Sequence, residues 1–140
     1  MLTELVIPII QLEAHFSRAG EAIAAGSGQT LARWLSLEMV ADEPATVAHI
    51  ARKLGLTRQS VQRVADLLQK DGLTRYEGNP AHQRSKLVRI TSRGRRTLST
   101  IQVAQRAWAD EVGQSVGESD LSQLSRLVAR VTEALTSHRV

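Results

Sequence analysis

Residues 46–72 read Thr46-Val47-Ala48-His49-Ile50-Ala51-Arg52-Lys53-Leu54-Gly55-Leu56-Thr57-Arg58-Gln59-Ser60-Val61-Gln62-Arg63-Val64-Ala65-Asp66-Leu67-Leu68-Gln69-Lys70-Asp71-Gly72, two amphipathic patterns parted by one glycine. Thr46 has the chemistry of an N-cap, a hydroxyl that accepts from an otherwise unpaired N–H of the first turn. Val47, Ile50, Ala51 and Leu54 follow at three- and four-residue spacings and form an inward stripe. Gly55 permits a tight turn. Thr57 is a second N-cap, and its helix runs to about Asp71 with Val61, Val64, Leu67 and Leu68 apolar. Gly72 ends that helix as a left-handed residue does.

Beyond Gly72 the period changes from helical to extended. Leu73-Thr74-Arg75-Tyr76-Glu77 and Lys86-Leu87-Val88-Arg89-Ile90 both alternate, with β-branched or aromatic members. Gly78-Asn79-Pro80 lies between them, so they form a hairpin with a long, polar, basic tip. Thr91 caps a further helix through about Val116; Gly117 interrupts, and Ser119 is expected to cap a last helix carrying Leu121, Leu124, Val128, Val131 and Leu135. Toward the N-terminus, a helix over about Thr30 to Ala41 buries Leu31, Trp34, Leu35 and Leu37 or Met39. The first segment, about Leu2 to Ala25, spaces Leu5, Ile9, Leu12 and Phe16 as a helical stripe. Pro8 within it either kinks the helix or marks its start.

Two short helices joined by a glycine turn, followed by a basic hairpin, constitute a winged helix-turn-helix. The expected fold is mainly α with a small β-hairpin wing. The second helix exposes Arg58, Gln59, Ser60, Gln62 and Arg63 opposite its apolar residues, side chains able to donate to guanine or pair with adenine. Thr57 opens a helix N-terminus whose free N–H groups suit a phosphate. At the hairpin tip, Arg84 has the chemistry for a minor groove and Lys86 for a phosphate. Thr46, at the start of the supporting helix, is also expected to contact the DNA; His49 reads as a surface residue of that helix and His82 as a phosphate contact.

Charge agrees. Between Thr46 and Leu98 stand twelve cations and three anions, a net +9 inside a chain of net +4, so the flanks are acidic. A basic middle is the footprint of a polyanion partner. Arg93, Arg95 and Arg96 are either a backbone-contacting patch or a solvated first turn. Cysteine is absent, which removes disulfides and thiolate chemistry. The four histidines have no metal-ligand spacing, so no metal is expected. No phosphate-cradling glycine loop, serine elbow or apolar carboxylate pair is present, so no catalytic residue, cofactor or enzymatic activity is expected. The apolar run Leu5-Val6-Ile7-Pro8-Ile9-Ile10 is too short to span a bilayer; a cytoplasmic protein without membrane association is expected.

The stretch from Thr46 to Leu98 resembles the MarR family of transcriptional regulators. The resemblance rests on Ile50 to Arg63, on Leu67-Leu68-Gln69-Lys70-Asp71-Gly72-Leu73-Thr74-Arg75, and on Arg84-Ser85-Lys86-Leu87-Val88-Arg89-Ile90-Thr91-Ser92-Arg93-Gly94. His82 stands where the family often has an aspartate two residues before the wing arginine, so bracing of Arg84 by such a group is unavailable. The resemblance implies one domain over 1–140: a winged helix-turn-helix over about 30–98, with dimerisation helices over about 1–28 and 92–140. The surplus of apolar residues in those terminal helices points independently to a homodimer. The resemblance also implies a pseudo-palindromic double-stranded operator and a repressor released by a small aromatic or phenolic effector, for which His15, Phe16, Trp34 and Trp108 are candidate lining residues. The rival reading is a winged-helix module that binds protein or RNA in a larger assembly; apolar or acidic residues on the exposed helix would favour it.

Overall fold

The computed structural model describes residues 1–138. It is mostly helical: α1 (Leu2–Ala25), α2 (Leu31–Met39), β1 (Ala45–Thr46), α3 (Val47–Leu54), α4 (Arg58–Lys70), β2 (Thr74–Glu77), β3 (Leu87–Ile90), α5 (Ser92–Val116) and α6 (Glu118–Ser137). The chain forms two compact units, one over Met1–Ala104 and one beginning at Gln105.

The helical boundaries in the first unit follow local chemistry. Thr30 caps α2 by accepting from the Arg33 N–H at 3.2 Å. Thr46 and Thr57 do the same for α3 and α4, each accepting at 3.1 Å from the N–H three residues on. Gly55 closes α3 in the left-handed region at φ 67°, and Gly72 follows α4 at φ 73°. A side chain at either glycine would be strained. α2 stops at Met39, two residues before the expected end at Ala41, because Val40 leaves the helical region.

The core of this unit is built from Leu37, Val40, Ile50, Ala51, Val61, Ala65, Leu68, Leu73, Val88, Ile90 and Leu98. Full burial of each large aliphatic member contributes about 1.5–3 kcal/mol relative to exposure. Leu37 is wholly buried, whereas Leu31, Trp34 and Leu35 are half-buried. On α4, Ala65 takes the core position beside Leu68, and Leu67 is exposed. A carboxylate also tethers α2 and α5: Glu38 accepts from the Trp34 indole N–H at 3.0 Å and from the Gln102 amide at 3.1 Å.

The sheet has three antiparallel strands in the order β1-β3-β2, one more than the expected hairpin. β2 and β3 pair Thr74 with Ile90 through Glu77 with Leu87. β1 adds Ala45 against Val88 and Thr46 against Leu87. Two residues carry no readable alternation, so this strand exists only through its pairing. Pro8 neither starts nor ends α1, which begins at Leu2 and runs through it.

In the second unit α6 begins at Glu118, and Gly117, not Ser119, is its N-cap. Gly117 does two jobs at φ 100°: its N–H bonds the Gly113 carbonyl at the end of α5, and its own carbonyl accepts from Leu121. With no loop between the helices, Ser119 falls inside the first turn, and no side chain caps α6. No helix among the described residues is long and apolar enough to cross a membrane.

Candidate nucleic-acid interface

The exposed side of α4 opens at its cap. The Thr57 hydroxyl accepts from the Ser60 N–H, and the Ser60 hydroxyl donates back to the Thr57 carbonyl at 2.9 Å. This closed loop holds the first turn while leaving Thr57, Arg58, Gln59 and Ser60 at the surface. Gln62 and Arg63 are exposed one turn further on. The opposite side carries Val61, Ala65 and Leu68 into the core, so burial itself dictates which side faces out.

The hairpin tip is shaped by Asn79. Its side-chain oxygen accepts from the Ala81 N–H at 3.0 Å, and its carbonyl accepts from the His82 N–H at 3.1 Å. Such an Asx turn reverses the chain without a ladder. A second reversal bonds the Ser85 N–H to the His82 carbonyl at 3.2 Å. Arg84, Ser85 and Lys86 emerge exposed from it. The Lys86 ammonium lies 5.8 Å from the centroid of the Tyr76 ring on β2, within cation–π range.

These elements bound one open cleft of about 410 Å³, lined among others by Thr46, Arg58, Gln62, Tyr76, Arg84 and Lys86. Thr46, Arg58, Gln62, Arg84 and Lys86, all expected at the interface, thus share a single concavity. Gln59, Ser60 and Arg63 do not line it; they occupy the exposed first turns of α4 outside it. Thr57 is likewise outside. Thr46 is half-buried, its hydroxyl engaged in capping α3.

The twelve cations of the basic middle fall into two groups. Some serve the fold. Arg89 and Arg75 both reach Glu77, at 2.6 and 3.1 Å, and hold its carboxyl below the ordinary glutamate value, with Arg89 the larger cause. Arg95 donates to the Ala41 carbonyl at 2.8 Å, which gives that member of the Arg93-Arg95-Arg96 cluster a structural role. Outside this stretch, Arg33 of α2 donates to Asp71 at the end of α4 and lowers its pKa. The second group is uncommitted: among the described residues, Arg58, Arg63 and Arg84 pair with no carboxylate.

Sequence reasoning did not single out Tyr76 and Asp66. Tyr76 read as an alternating strand residue and Asp66 as one of three anions in a basic stretch. In the fold the Tyr76 hydroxyl donates to Asp66 at 2.5 Å, and the Gln62 amide donates to both, at 2.9 and 3.0 Å. The Tyr76 bond, then the Gln62 bond, holds the Asp66 carboxyl below its ordinary range against a weaker opposing desolvation. Burial first, and Asp66 second, push the Tyr76 phenol well above its usual pKa. The i,i+4 spacing of Gln62 and Asp66 was a legible signal for their contact; the arrival of Tyr76 from another element was not.

The residues expected at an effector site lie on three elements. His15 and Phe16 are exposed on α1, where the Arg18 guanidinium stands 3.4 Å from the His15 ring. Trp34 packs half-buried on α2, and Trp108 is half-buried in the second unit.

Against known proteins, a family model described as MarR family matches residues 27–85. An uncharacterized protein of Mycobacterium tuberculosis is 38% identical over 131 residues, covering 91% of this chain and 92% of that one. A MarR family transcriptional regulator from Rhodococcus sp. RHA1 superposes with a TM-score of 0.84 at 15% identity, covering 94% of each chain. The transcriptional repressor CouR, solved on a 23-mer DNA duplex, gives a TM-score of 0.83 at 22% identity over 94% of each chain. CouR from Rhodococcus jostii RHA1, solved with p-coumaroyl-CoA, gives 0.78 at 16% identity, covering 88% of this chain and 87% of that one. At these identities the structural matches speak for the fold.

Proposed function

The chain belongs to the MarR family of transcriptional regulators, and from that premise we propose that it binds double-stranded DNA sequence-specifically, as a homodimeric repressor released by a small aromatic or phenolic ligand. The observation that carries the DNA reading is the convergence of Arg58, Arg84 and Lys86 on one open cleft, with the two arginines unpaired, while neighbouring arginines are spent on Glu77 and a backbone carbonyl. Unpaired guanidiniums beside a polar helix face suit a polyanion whose bases are read at the same time. Arg58, Gln59, Ser60, Gln62 and Arg63 supply base contacts, Thr46 and Thr57 phosphate contacts at helix starts, and Arg84 and Lys86 the adjacent groove and backbone.

The dimer reading is supported by apolar side chains that the chain leaves open. On α1, Leu5, Ile9, Leu12 and Phe16 are 44–56% exposed. On α6 no residue is buried, and Leu124, Leu127, Val128 and Leu135 are 45–58% exposed. Two-fold pairing of such faces places one α4 per half-site and demands a pseudo-palindrome. In this reading the helices within about 1–28 and 92–140, of which the last two residues lie outside the described ones, serve dimerisation around a winged helix-turn-helix of about 30–98. Release by ligand, with His15, Phe16, Trp34 and Trp108 as the lining, draws its support from CouR having been solved with p-coumaroyl-CoA. Regulation of transcription by such a protein needs no catalysis and is exercised in the cytoplasm.

The test is selection of a duplex from a random pool, followed by anisotropy titrations at several fixed salt concentrations. Arg84→Ala is expected to weaken binding to every duplex, and Arg63→Ala and Gln59→Ala to flatten preference by about 1–3 kcal/mol per lost base contact. Equal affinity of all three variants and the parent for the selected duplex refutes the assignment. Preference for single-stranded RNA over any duplex returns the protein to the rival class.

A further inference from the structure

The cluster beneath the cleft restricts what Gln62 offers to a base. A carboxylate accepts and cannot donate, so the atom of Gln62 that stands 3.0 Å from Asp66 Oδ1 must be the amide nitrogen. The Tyr76 hydroxyl gives its one proton to the same carboxylate oxygen at 2.5 Å, and therefore meets Gln62, at 2.9 Å, as an acceptor. Both inward partners demand the nitrogen. Flipping the carboxamide would set its oxygen against the carboxylate and the phenol's lone pairs, so one of the two orientations is closed.

Resting on the DNA-binding reading above, we propose that Gln62 is a specificity-determining residue that presents its carbonyl oxygen to the major groove. It thereby selects a base carrying an exocyclic amine, adenine or cytosine, with Asp66 and Tyr76 as the positioning residues that fix the orientation. The exposed edges of guanine and thymine at that place offer acceptors, N7 and O6 or O4, which cannot satisfy a second acceptor. A freely rotating glutamine would serve either class by turning over. Tyr76 also faces Lys86, whose ammonium sits over its ring, so the same phenol braces a wing cation and a reading-helix side chain across the cleft.

The experiment is selection from a random duplex pool with the full chain and with Gln62→Leu, Tyr76→Phe and the double variant Tyr76→Phe/Asp66→Ala. The parent is expected to show one position per half-site that favours adenine or cytosine over guanine and thymine by about five- to tenfold, the scale of one good base contact. Gln62→Leu erases the preference there and leaves other positions intact. The double variant frees the carboxamide and flattens discrimination between amine-bearing and carbonyl-bearing bases at the same position. Tyr76→Phe alone, which keeps the Asp66 bond, retains it. Gln62 is exposed, so its variant tests the idea even where the double variant fails to fold. If Gln62→Leu changes no position, or changes one that favours guanine or thymine, the proposal is overturned while the DNA-binding reading stands. If the parent enriches no duplex at all, both fall.

Discussion

Gly94 offers a sharp test of how the wing is joined to α5. An ideal Cβ at this position would lie 2.0 Å from the Leu73 carbonyl oxygen, 2.8 Å from Ile90 Cγ1 and 3.0 Å from the Leu73 carbonyl carbon. Real Cβ contacts do not fall below 3.0 Å, so Gly94→Ala must drive the backbone at Leu73 away by about 1 Å. That backbone is not free to yield. The Leu73 carbonyl accepts from the Thr91 N–H at 3.0 Å, and the Thr91 hydroxyl donates to the Gly72 carbonyl at 2.7 Å. Overpacking of this kind costs about 1–3 kcal/mol. Two strained or broken hydrogen bonds add about 1 kcal/mol each. Better helix propensity of alanine returns about 1 kcal/mol. The net expectation is a loss of about 2–4 kcal/mol, roughly the sum of these contributions. Urea unfolding followed by circular dichroism at one fixed protein concentration measures it, with a fall in midpoint of about 1–3 M for an ordinary m-value. Gly78→Ala is the control: nothing lies within 4 Å of its Cβ position and its φ is not positive, so a change within about 0.5 kcal/mol is expected. A Gly94→Ala protein as stable as the Gly78→Ala protein would refute the close approach of α5 to the Leu73 backbone just before β2.

Three further outcomes are expected. Thr57→Ala leaves the Ser60 N–H without its 3.1 Å acceptor and should cost about 0.5–2 kcal/mol, whereas Thr57→Ser should recover most of it; equal stability of all three proteins would discount the cap. Arg89 first, and Arg75 after it, bind the ionised form of Glu77 and hold its carboxyl below the ordinary glutamate range. Its contribution is therefore present above the ordinary glutamate range and lost as pH falls through the lowered value. Glu77→Gln should lose stability at neutral pH and narrow the gap to the parent on acidification, and a gap that widens toward acid contradicts the pairing. Ile9→Glu and Leu124→Glu, at positions 47% and 45% exposed within one chain, should leave the fold of a lone protomer intact and halve the mass seen by light scattering. A parent that is already monomeric at micromolar concentration ends the dimer proposal.

Much of the winged unit was legible because its signals are local. A threonine hydroxyl three residues from the N–H it satisfies, a glycine where φ must be positive and apolar residues at helical spacing all act within one turn of chain. Thr46, Thr57, Gly55 and Gly72 accordingly stand where their chemistry placed them. Legibility failed where two signals competed or where a segment was too short to carry one. Pro8 left two readings open, a helix that passes through it or one that starts at it, and α1 takes the first, beginning six residues before it. Ser119 has capping chemistry, but Gly117 takes the cap because the preceding helix ends on that same residue.

The order of elements, the outward side of α4 and the basic character of the hairpin follow from residue chemistry and periodicity, properties that a linear string carries in full. Contacts between residues far apart in the chain do not. The strand Ala45–Thr46 exists because β3 offers it partners; Gly94 is required because the Leu73 carbonyl passes beside it; Arg95 is engaged because α2 ends at its reach. The orientation of Gln62 belongs with them, since Tyr76 lies fourteen residues away and meets it only when β2 folds back beside α4. Such pairings depend on distances of a few ångströms set by the packing of whole elements, and no local spacing encodes those distances.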